Sequence, residues 1–332
     1  MQDYIISLVR TKIDLDDFTM LPFSLYDESS PWVPPLIGGY KKYVSGVDNS
    51  LHDVGPNEKI ILRQGDKTLG RLLVGINKDL NEYHNLKEAY ISQFESVNDP
   101  EVARLLLDFA SDWAKKQGVN RLKGPLSLPG GDDNRGFIID NFDSPPYIMN
   151  TYNLPYYNDF FTDYGFEKYA DCYAFESELI EENLEKYKRI VPLLMKRYQF
   201  RLDKINLKDK EKLKKDAEDI RQILEEGMPK SWEDFMPPTK KETDHIINQL
   251  APFADEDFIF IARSTVDERP IGFNITLPDY NQILKKMRGR IFPTGFITFL
   301  LNKRKMDRGR MFVLFVVPDY RKKGVTGAIY LT

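Results

Sequence analysis

Short apolar runs alternate with charged amphipathic segments along the chain, and this alternation predicts strands and helices. The run at 311–317, Met-Phe-Val-Leu-Phe-Val-Val, is β-branched and aromatic, so it predicts a strand buried on both faces. Pro318 ends the strand because proline has no N–H to donate to a ladder. A basic turn at 321–324 follows, and the residues after Gly324 predict the start of a helix.

The strand, the glycine turn and the helix start together predict an anion-binding arrangement. Backbone N–H groups at a helix N-terminus lack intrahelical partners, and the helix dipole is positive there. Lys322 and Lys323 add positive charge beside Gly324. The alternative is a buried strand that ends in an ordinary solvated basic turn.

The order of predicted elements occurs twice, which indicates a tandem architecture. In the first half we predict, in order, a strand at 3–9, a helix at 15–25, hairpin strands at 59–63 and 69–76, a strand at 89–95, a helix at 101–117 capped by Asp99 and Pro100, a strand at 121–124, a helix ending near Tyr164, and a strand at 168–175. In the second half we predict a strand at 201–206, helices at 210–226 and 239–250, hairpin strands at 258–263 and 270–277, and the strand at 311–317.

The length of 332 residues is long for one core and suits two domains. We place the first domain at 1–178, a helical connector containing Pro192 at 179–200, and the second domain at 201–332.

Composition excludes several classes of function. A net charge of −4 gives no general reason to expect nucleic acid, although local basic clusters keep that class open as a third alternative. The single Cys172 excludes an intrachain disulfide and, with three widely spaced histidines, leaves no metal spacing. No run reaches the ~18 apolar residues of a membrane span, and no signal peptide is evident. We therefore expect a cytoplasmic protein without a metal; its oligomeric state is not indicated.

The order of Val316, Pro318, Arg321 and Gly324 before a helix resembles the acyl-CoA loop of the GNAT N-acyltransferases. In that family the loop amides hold the pyrophosphate of coenzyme A and the fourth strand holds the pantetheine arm. The resemblance implies acyl-CoA as co-substrate, bound by Phe315, Val316, Val317, Arg321, Lys322, Lys323, Gly324, Val325, Thr326 and Gly327. Thr326 departs from the Gly or Ala that is usual in the family.

The first half resembles the same family in its element order and in Tyr164-Gly165-Phe166. Its corresponding loop, Ser-Val-Asn-Asp-Pro-Glu at 96–101, carries acids and neither arginine nor glycine. We therefore expect a degenerate first repeat that does not bind coenzyme A.

Segments across nearly the whole chain resemble tandem GNAT-like proteins similar to bacterial ceramide synthase. They lie at 11–12, 31–36, 124–125, 134–136, 142–146, 149–153, 155–157, 277–279, 281 and 292–295. The resemblance implies an α/β (α+β) fold with two GNAT-like domains, each a mixed sheet flanked by helices. Because the chain ends one turn past the loop, we expect the second domain to lack its C-terminal elements. The implied activity is acyl transfer to an amine, with a long-chain sphingoid base as one option; the alternative is a non-catalytic acyl-CoA-binding or scaffold protein.

Acyl transfer to an amine needs a base and donors for the tetrahedral oxyanion. Asp279 is the candidate base or amine anchor, with Asn281 orienting it or the substrate, and the strand amides at 315–317 are candidate oxyanion donors. The alternative for Pro-Asp-Tyr-Asn at 278–281 is simple turn formation.

Three further segments have open alternatives. The glycine loop at 129–136 could line an acceptor cleft or be a structural turn, and the aromatic string at 147–157 could wall an acyl groove or be core. The apolar segment at 292–301, with basic residues on both sides, could lie on a membrane surface or form a buried helix with solvated flanks. Peripheral contact with the inner face of a membrane is therefore an expectation.

Overall fold

The computed structural model describes residues 3–47, 49–130, 135–251 and 254–332. The chain divides into two compact units, each made of two stretches. Unit 1 contains Met1–Tyr169 and Tyr280–Met306, and unit 2 contains Ala170–Asp279 and Asp307–Thr332. A segment that lies between two strands of unit 2 therefore belongs to unit 1.

Unit 1 is built on a five-stranded sheet in which the strand order follows the chain order. Neighbours among the first four strands are antiparallel, and the fifth strand pairs parallel with the fourth. The strands are β1 (Tyr4–Leu8), β2 (Asn57–Gln64), β3 (Lys67–Gly75), β4 (Glu88–Ser96) and β5 (Arg121–Lys123). The helices of the first stretch are α1 (Lys12–Leu25), α2 (Ile37–Val44), α3 (Lys78–His84), α4 (Pro100–Lys116) and α5 (Tyr157–Tyr164).

Local sequence explains where these helices begin. The side chain of Thr11 accepts from the N–H of Asp14, whose carboxylate accepts from the N–H of Thr11. This capping box starts α1 at Lys12, earlier than the predicted start near Asp14. Helix α4 begins as predicted, with Asp99 as its cap and Pro100 in its first turn. Its apolar face packs on β3, where Cβ on Gly70 would lie 2.7 Å from Cδ1 of Leu106.

Unit 2 repeats the order of strand, two helices and three antiparallel strands. Its four-stranded sheet contains β6 (Phe200–Lys204), β7 (Ile259–Ser264), β8 (Pro270–Pro278) and β9 (Gly309–Val316). Its first helices are α6 (Glu181–Tyr198), α7 (Lys210–Gly227) and α8 (Lys240–Leu250). The predicted two-fold repetition of elements is confirmed.

Strand register makes the two sheets comparable residue by residue. Gly70 pairs with Leu62 on one side and Ser96 on the other, and Gly272 pairs with Ala262 and Val316 in the same way. Ser96 of unit 1 therefore corresponds to Val316 of unit 2.

An arginine follows the register shift in each sheet. The guanidinium of Arg63 donates to Asp14 and Asp17, which are three residues apart near the start of α1. Arg263 donates to Asp216 and Asp219, also three apart, on α7. The same ion-pair arrangement thus ties the second strand of each sheet to the helix that follows the first strand.

Two predictions about strands are wrong. Strand β9 is half-buried over most of its length rather than buried on both faces, because it is the edge strand of the sheet that the described residues form. No strand forms over 168–175, where Tyr173 and Phe175 remain exposed. An alternating pattern favours a strand but does not supply a neighbouring strand to pair with.

The second stretch of unit 1, Tyr280–Met306, contains helices α9 (Asn281–Met287) and α10 (Gly295–Asn302). Ile283 is 1% exposed and belongs to an apolar cluster with Leu36 and Ile148. Lys285 Nζ donates to the carbonyl oxygen of Ser30 at 2.9 Å. These contacts explain why the segment belongs to unit 1.

Candidate functional site in unit 2

The candidate loop joins β9 to helix α11 (Val325–Leu331), the last element of unit 2. The N–H of Val317 donates to the carbonyl oxygen of Ile271 at 3.0 Å, so this amide is used within the sheet. Successive backbone amides of a strand point in opposite directions across the sheet. The amide of Val316 therefore faces the outer edge of β9, the edge to which no strand of the described residues is paired.

Arg321 fixes the loop by donating to two backbone carbonyl oxygens. Its Nε donates to the carbonyl oxygen of Val316 at 3.1 Å, and its Nη2 donates to the carbonyl oxygen of Gly227 at 2.7 Å. The guanidinium thus links the end of β9 to the end of α7. It shapes the loop through these two backbone contacts.

Gly324 caps α11 in a left-handed conformation, with φ of 94°. A Cβ at this position would lie 2.6 Å from Cδ1 of Leu194 on α6. Both the backbone angle and the close approach of α6 require glycine here. The sequence indicated the need for glycine in this turn but not the packing of α6 against it.

The two lysines beside Gly324 differ in their surroundings. Lys322 is exposed and has a positive φ of 63°. Lys323 places its Nζ 4.7 Å from the ring centroid of Tyr320 and 5.8 Å from that of Tyr198. The ammonium of Lys323 is therefore held over aromatic faces, whereas Lys322 extends into solvent.

The first turn of α11 contains Val325, Thr326 and Gly327. Val325 is buried at 1% exposure, and Thr326 is half-buried. The first intrahelical bond of α11 runs from the N–H of Ala328 to the carbonyl oxygen of Gly324. The amides of Val325, Thr326 and Gly327 therefore precede the helical ladder and have no acceptor within the helix.

In unit 1, the equivalent edge of β4 is hydrogen-bonded to other residues of the same unit. The N–H of Ser96 donates to the hydroxyl of Tyr157 at 2.9 Å, and the hydroxyl of Tyr156 donates to the carbonyl oxygen of Ser96 at 3.0 Å. Five residues before Ser96 on β4, the carbonyl oxygen of Ile91 accepts from the N–H of Leu126. The backbone groups that correspond to Val316 are thus already bonded in unit 1.

Sequence reasoning missed a buried polar cluster on the inner strands of unit 1. Glu95 accepts from the hydroxyls of Tyr157 at 2.7 Å and Tyr26 at 3.1 Å, and lies 3.8 Å from Nη2 of Arg71. Burial raises the pKa of the Glu95 carboxyl above its usual range, although Arg71 opposes this. Burial also raises the pKa of Tyr40, which donates to Gln93, to about 12.

Register places Phe273 and Phe315 of unit 2 where unit 1 has Arg71 and Glu95. The two phenyl rings stack with centroids 6.2 Å apart and an interplanar angle of 13°. The same cross-strand position is therefore ionic in one repeat and aromatic in the other. This difference is visible only after the strands are aligned by register, so the linear sequence gave no signal for it.

The two predicted catalytic residues fall in different units. In unit 2, Asp279 is 4% exposed and its N–H donates to the carbonyl oxygen of Arg308. In unit 1, Asn281 is the first residue of α9, and its Nδ2 donates to the carbonyl oxygen of Pro146 at 2.8 Å. Their catalytic roles stay predictions.

The remaining candidate segments lie in unit 1. Four residues of the glycine loop, 131–134, are outside the described residues, and they include Asn134. Within the aromatic string, Tyr157 is 1% exposed and packs in the core of unit 1, whereas Tyr147 and Tyr152 are half-buried. The apolar segment at 292–301 is not a buried helix: α10 exposes one apolar face, so that alternative is wrong.

Neither a membrane-spanning helix nor a metal-binding cluster of side chains occurs in the described part of the chain. There, no helix has the length and apolar character needed to cross a bilayer. The same residues contain no group of three or more His, Cys, Asp or Glu side chains arranged to hold a metal ion.

The repeated sheet topology, the shared register and the strand–loop–helix at β9 fit the two GNAT-like domains that the sequence resemblance implied. The chain is 26% identical over 301 residues to Protein YghO of Escherichia coli (strain K12), covering 88% of this chain and 74% of the relative. It is 21% identical over 297 residues to Bacterial ceramide synthase of Caulobacter vibrioides, with the same two coverages of 88% and 74%.

A solved structure, a tandem GNAT protein from the clavulanic acid biosynthesis pathway, is similar at a TM-score of 0.45 and 10% identity. The similarity covers 99% of this chain and 84% of that chain. No known protein-family profile matches the sequence.

Proposed function

We propose that this protein transfers an acyl group from acyl-CoA to the amine of a long-chain sphingoid base. The observation that carries the proposal is the sequence similarity to a curated bacterial ceramide synthase over 88% of the chain. The acceptor class comes from that relative's name, and the acyl donor comes from the GNAT-like fold.

The geometry of unit 2 supports acyl-CoA as the donor. Strand β9 is an edge strand in the described part of unit 2, and its Val316 amide faces outward. Helix α11, whose first amides lack acceptors within the helix, follows β9 in the chain. An extended pantetheine arm carries amide groups that can pair with such a strand edge. The edge of β4 in unit 1 is bonded internally, so we assign the donor to unit 2 alone.

The reaction forms a C–N bond and breaks the C–S bond of the thioester. The amine must lose a proton before or during attack, and the departing thiolate of coenzyme A takes one up. We assign proton acceptance to Asp279 and stabilisation of the oxyanion to an outward amide of β9. The exposed ammonium of Lys322 supplies charge for the coenzyme's phosphates.

The test is amide formation by the purified chain supplied with acyl-CoA and a long-chain amino alcohol, followed by mass spectrometry. A thiol assay of coenzyme A release serves as a second readout. It requires a Cys172→Ser background, because Cys172 is exposed and would react with the thiol reagent. Release of coenzyme A that depends on the amine, with equal formation of amide, is the expected result.

A charge variant tests the loop itself. Thr326→Glu puts a carboxylate beside the amides that open α11, and it should raise the KM for acyl-CoA about tenfold. Tyr330→Glu is the matched control, since Tyr330 is 51% exposed on the same helix but beyond its first turn. Equal KM values in both variants would refute the loop assignment.

The outcome also separates the enzyme from a non-catalytic acyl-CoA-binding protein. Binding of acyl-CoA without turnover of any long-chain amine would establish the binding protein instead. Absence of binding would exclude both.

A further inference from the structure

Helix α10 of unit 1 has one face against protein and one face in solvent. On the inner face, the ring of Phe299 stacks on Tyr280 with centroids 6.1 Å apart and an interplanar angle of 7°. Gly295, one turn earlier, is buried, and a Cβ there would lie 1.9 Å from the carbonyl oxygen of Arg290. These two residues fix which side of α10 points outward.

The outward face of α10 is apolar. The exposed fractions are 50% for Phe296, 57% for Ile297, 57% for Leu300 and 65% for Leu301. The preceding loop adds Phe292, which is 78% exposed. A surface helix of a globular protein normally turns polar residues outward. A contiguous exposed apolar patch of this kind marks an interaction surface.

The charge of the surrounding segment indicates the partner. Residues 280–306 contain seven basic residues and no acidic residue, in a chain whose net charge is −4. The basic residues are Lys285, Lys286, Arg288, Arg290, Lys303, Arg304 and Lys305. Arg288 pairs with Glu28. Arg290 before α10 and Lys303, Arg304 and Lys305 directly after it are exposed, so positive charge lies at both ends of the apolar face.

We propose that α10 and its basic flanks, residues 290–305, are a docking surface for an anionic lipid bilayer. The apolar side chains enter the boundary between headgroups and acyl chains, while the flanking cations stay at the level of the lipid phosphates. Eight residues of helix span only about 12 Å, against roughly 30 Å of hydrocarbon. The helix therefore lies in the plane of the interface.

This docking does not depend on the proposed reaction. Vesicle binding is measured without any acyl donor or amine, so failure of one proposal leaves the other standing. The two proposals are nevertheless compatible. A long-chain amine concentrates in the bilayer, so a protein docked on the bilayer would be close to that substrate.

The test is co-sedimentation of the full chain with vesicles of phosphatidylcholine alone and of phosphatidylcholine mixed with phosphatidylglycerol. Binding to the anionic vesicles, weakened by salt, is the expected result. Ile297→Ser with Leu300→Ser should lower the partition coefficient about tenfold or more. The matched control is Ile13→Ser with Val266→Ser, because these side chains are 72% and 68% exposed outside the surface and should not change binding.

The charge contribution is tested separately. Lys303→Glu with Lys305→Glu should lower binding to anionic vesicles about tenfold or more, because cations near such a surface are attracted to the lipid phosphates. Lys115→Glu with Lys116→Glu makes the same change in net charge on the exposed part of α4 and should have a much smaller effect. Circular dichroism confirms that each variant is folded.

Three results would overturn the proposal. The first is absence of binding to anionic vesicles, and the second is an equal loss of binding in test and control variants. The third is a dimer in solution that Ile297→Ser with Leu300→Ser dissociates, because a second copy of the chain would then cover the apolar face.

Discussion

At the scale of single residues, Gly324 is under two independent constraints. Its φ of 94° is strained for any residue with a Cβ, and that Cβ would lie 2.6 Å from Leu194. We predict that Gly324→Ala lowers the free energy of unfolding by about 1–3 kcal/mol. Urea denaturation monitored by circular dichroism measures the change.

Gly118 provides the control for this prediction. It also has a positive φ, 74°, but nothing lies within 4 Å of its Cβ position. Gly118→Ala should therefore lower the free energy of unfolding only by the cost of the strained backbone angle. If the two variants lose equal stability, the packing of Leu194 against Gly324 contributes nothing.

The buried Arg71–Glu95 pair predicts a pH dependence. Arg71→Met leaves a buried carboxylate without its cation and should cost about 3 kcal/mol at neutral pH. Arg71 lowers the pKa of Glu95, so its removal raises the folded-state pKa further above the unfolded value. A group with a raised folded-state pKa stabilises below its unfolded pKa, and that stability is lost as pH rises through the folded-state pKa.

The stability gap between Arg71→Met and the parent protein should therefore be smaller at about pH 5 than at about pH 8. Urea midpoints and slopes at several pH values measure the gap. A gap that stays constant or grows on acidification would show that the carboxyl of Glu95 is not the group left unpaired.

At the scale of elements, Arg321 and Lys322 have different roles in the loop between β9 and α11. Arg321 donates to two carbonyl oxygens, whereas Lys322 extends into solvent. We predict that Arg321→Ala lowers the free energy of unfolding by about 1–3 kcal/mol because it leaves those acceptors without their donor. Lys322→Ala should leave stability within about 0.5 kcal/mol and weaken only acyl-CoA binding.

Thermal melts and acyl-CoA titration of the two variants separate these roles. Loss of binding in Arg321→Ala without loss of stability would show instead that the guanidinium contacts the ligand directly.

Much of the element order was predictable because its signals are local. The caps at Asp99 and Thr239 and the apolar runs of the hairpin strands each depend on a few adjacent residues. The edge position of β9 and the filled edge of β4 were not predictable. They depend on strand neighbours and on Tyr156 and Tyr157, which lie some sixty residues away from Ser96 in sequence.

The candidate site was predictable only in part for the same reason. The glycine turn and its lysines follow β9 directly, so the loop could be located from the sequence. Arg321 could not be assigned to the backbone of Gly227, 94 residues away, because nothing local marks that contact. The pairing of Arg71 with Glu95 could not be predicted either, because only the register of β3 against β4 brings the two residues together.

At the scale of the whole molecule, the segment Tyr280–Met306 belongs to a different structural unit from the residues before and after it in the chain. This segment is an insertion between β8 and β9 of unit 2, yet its side chains complete unit 1. A destabilising change there should therefore loosen unit 1 and spare the sheet of unit 2. Ile283 offers the test, since it is 1% exposed among Leu36, Ile148 and Met287.

We predict that Ile283→Ala costs about 2–4 kcal/mol locally and speeds amide hydrogen exchange at residues 36–44 and 146–152. Exchange in β6 and β7 should be unchanged, because foldons open as cooperative packed units rather than by chain order. Ile297→Ala is the matched control in the same insertion: its side chain is 57% exposed, so its removal opens no cavity. Faster exchange in β6 and β7 after Ile283→Ala would assign the segment to unit 2 instead.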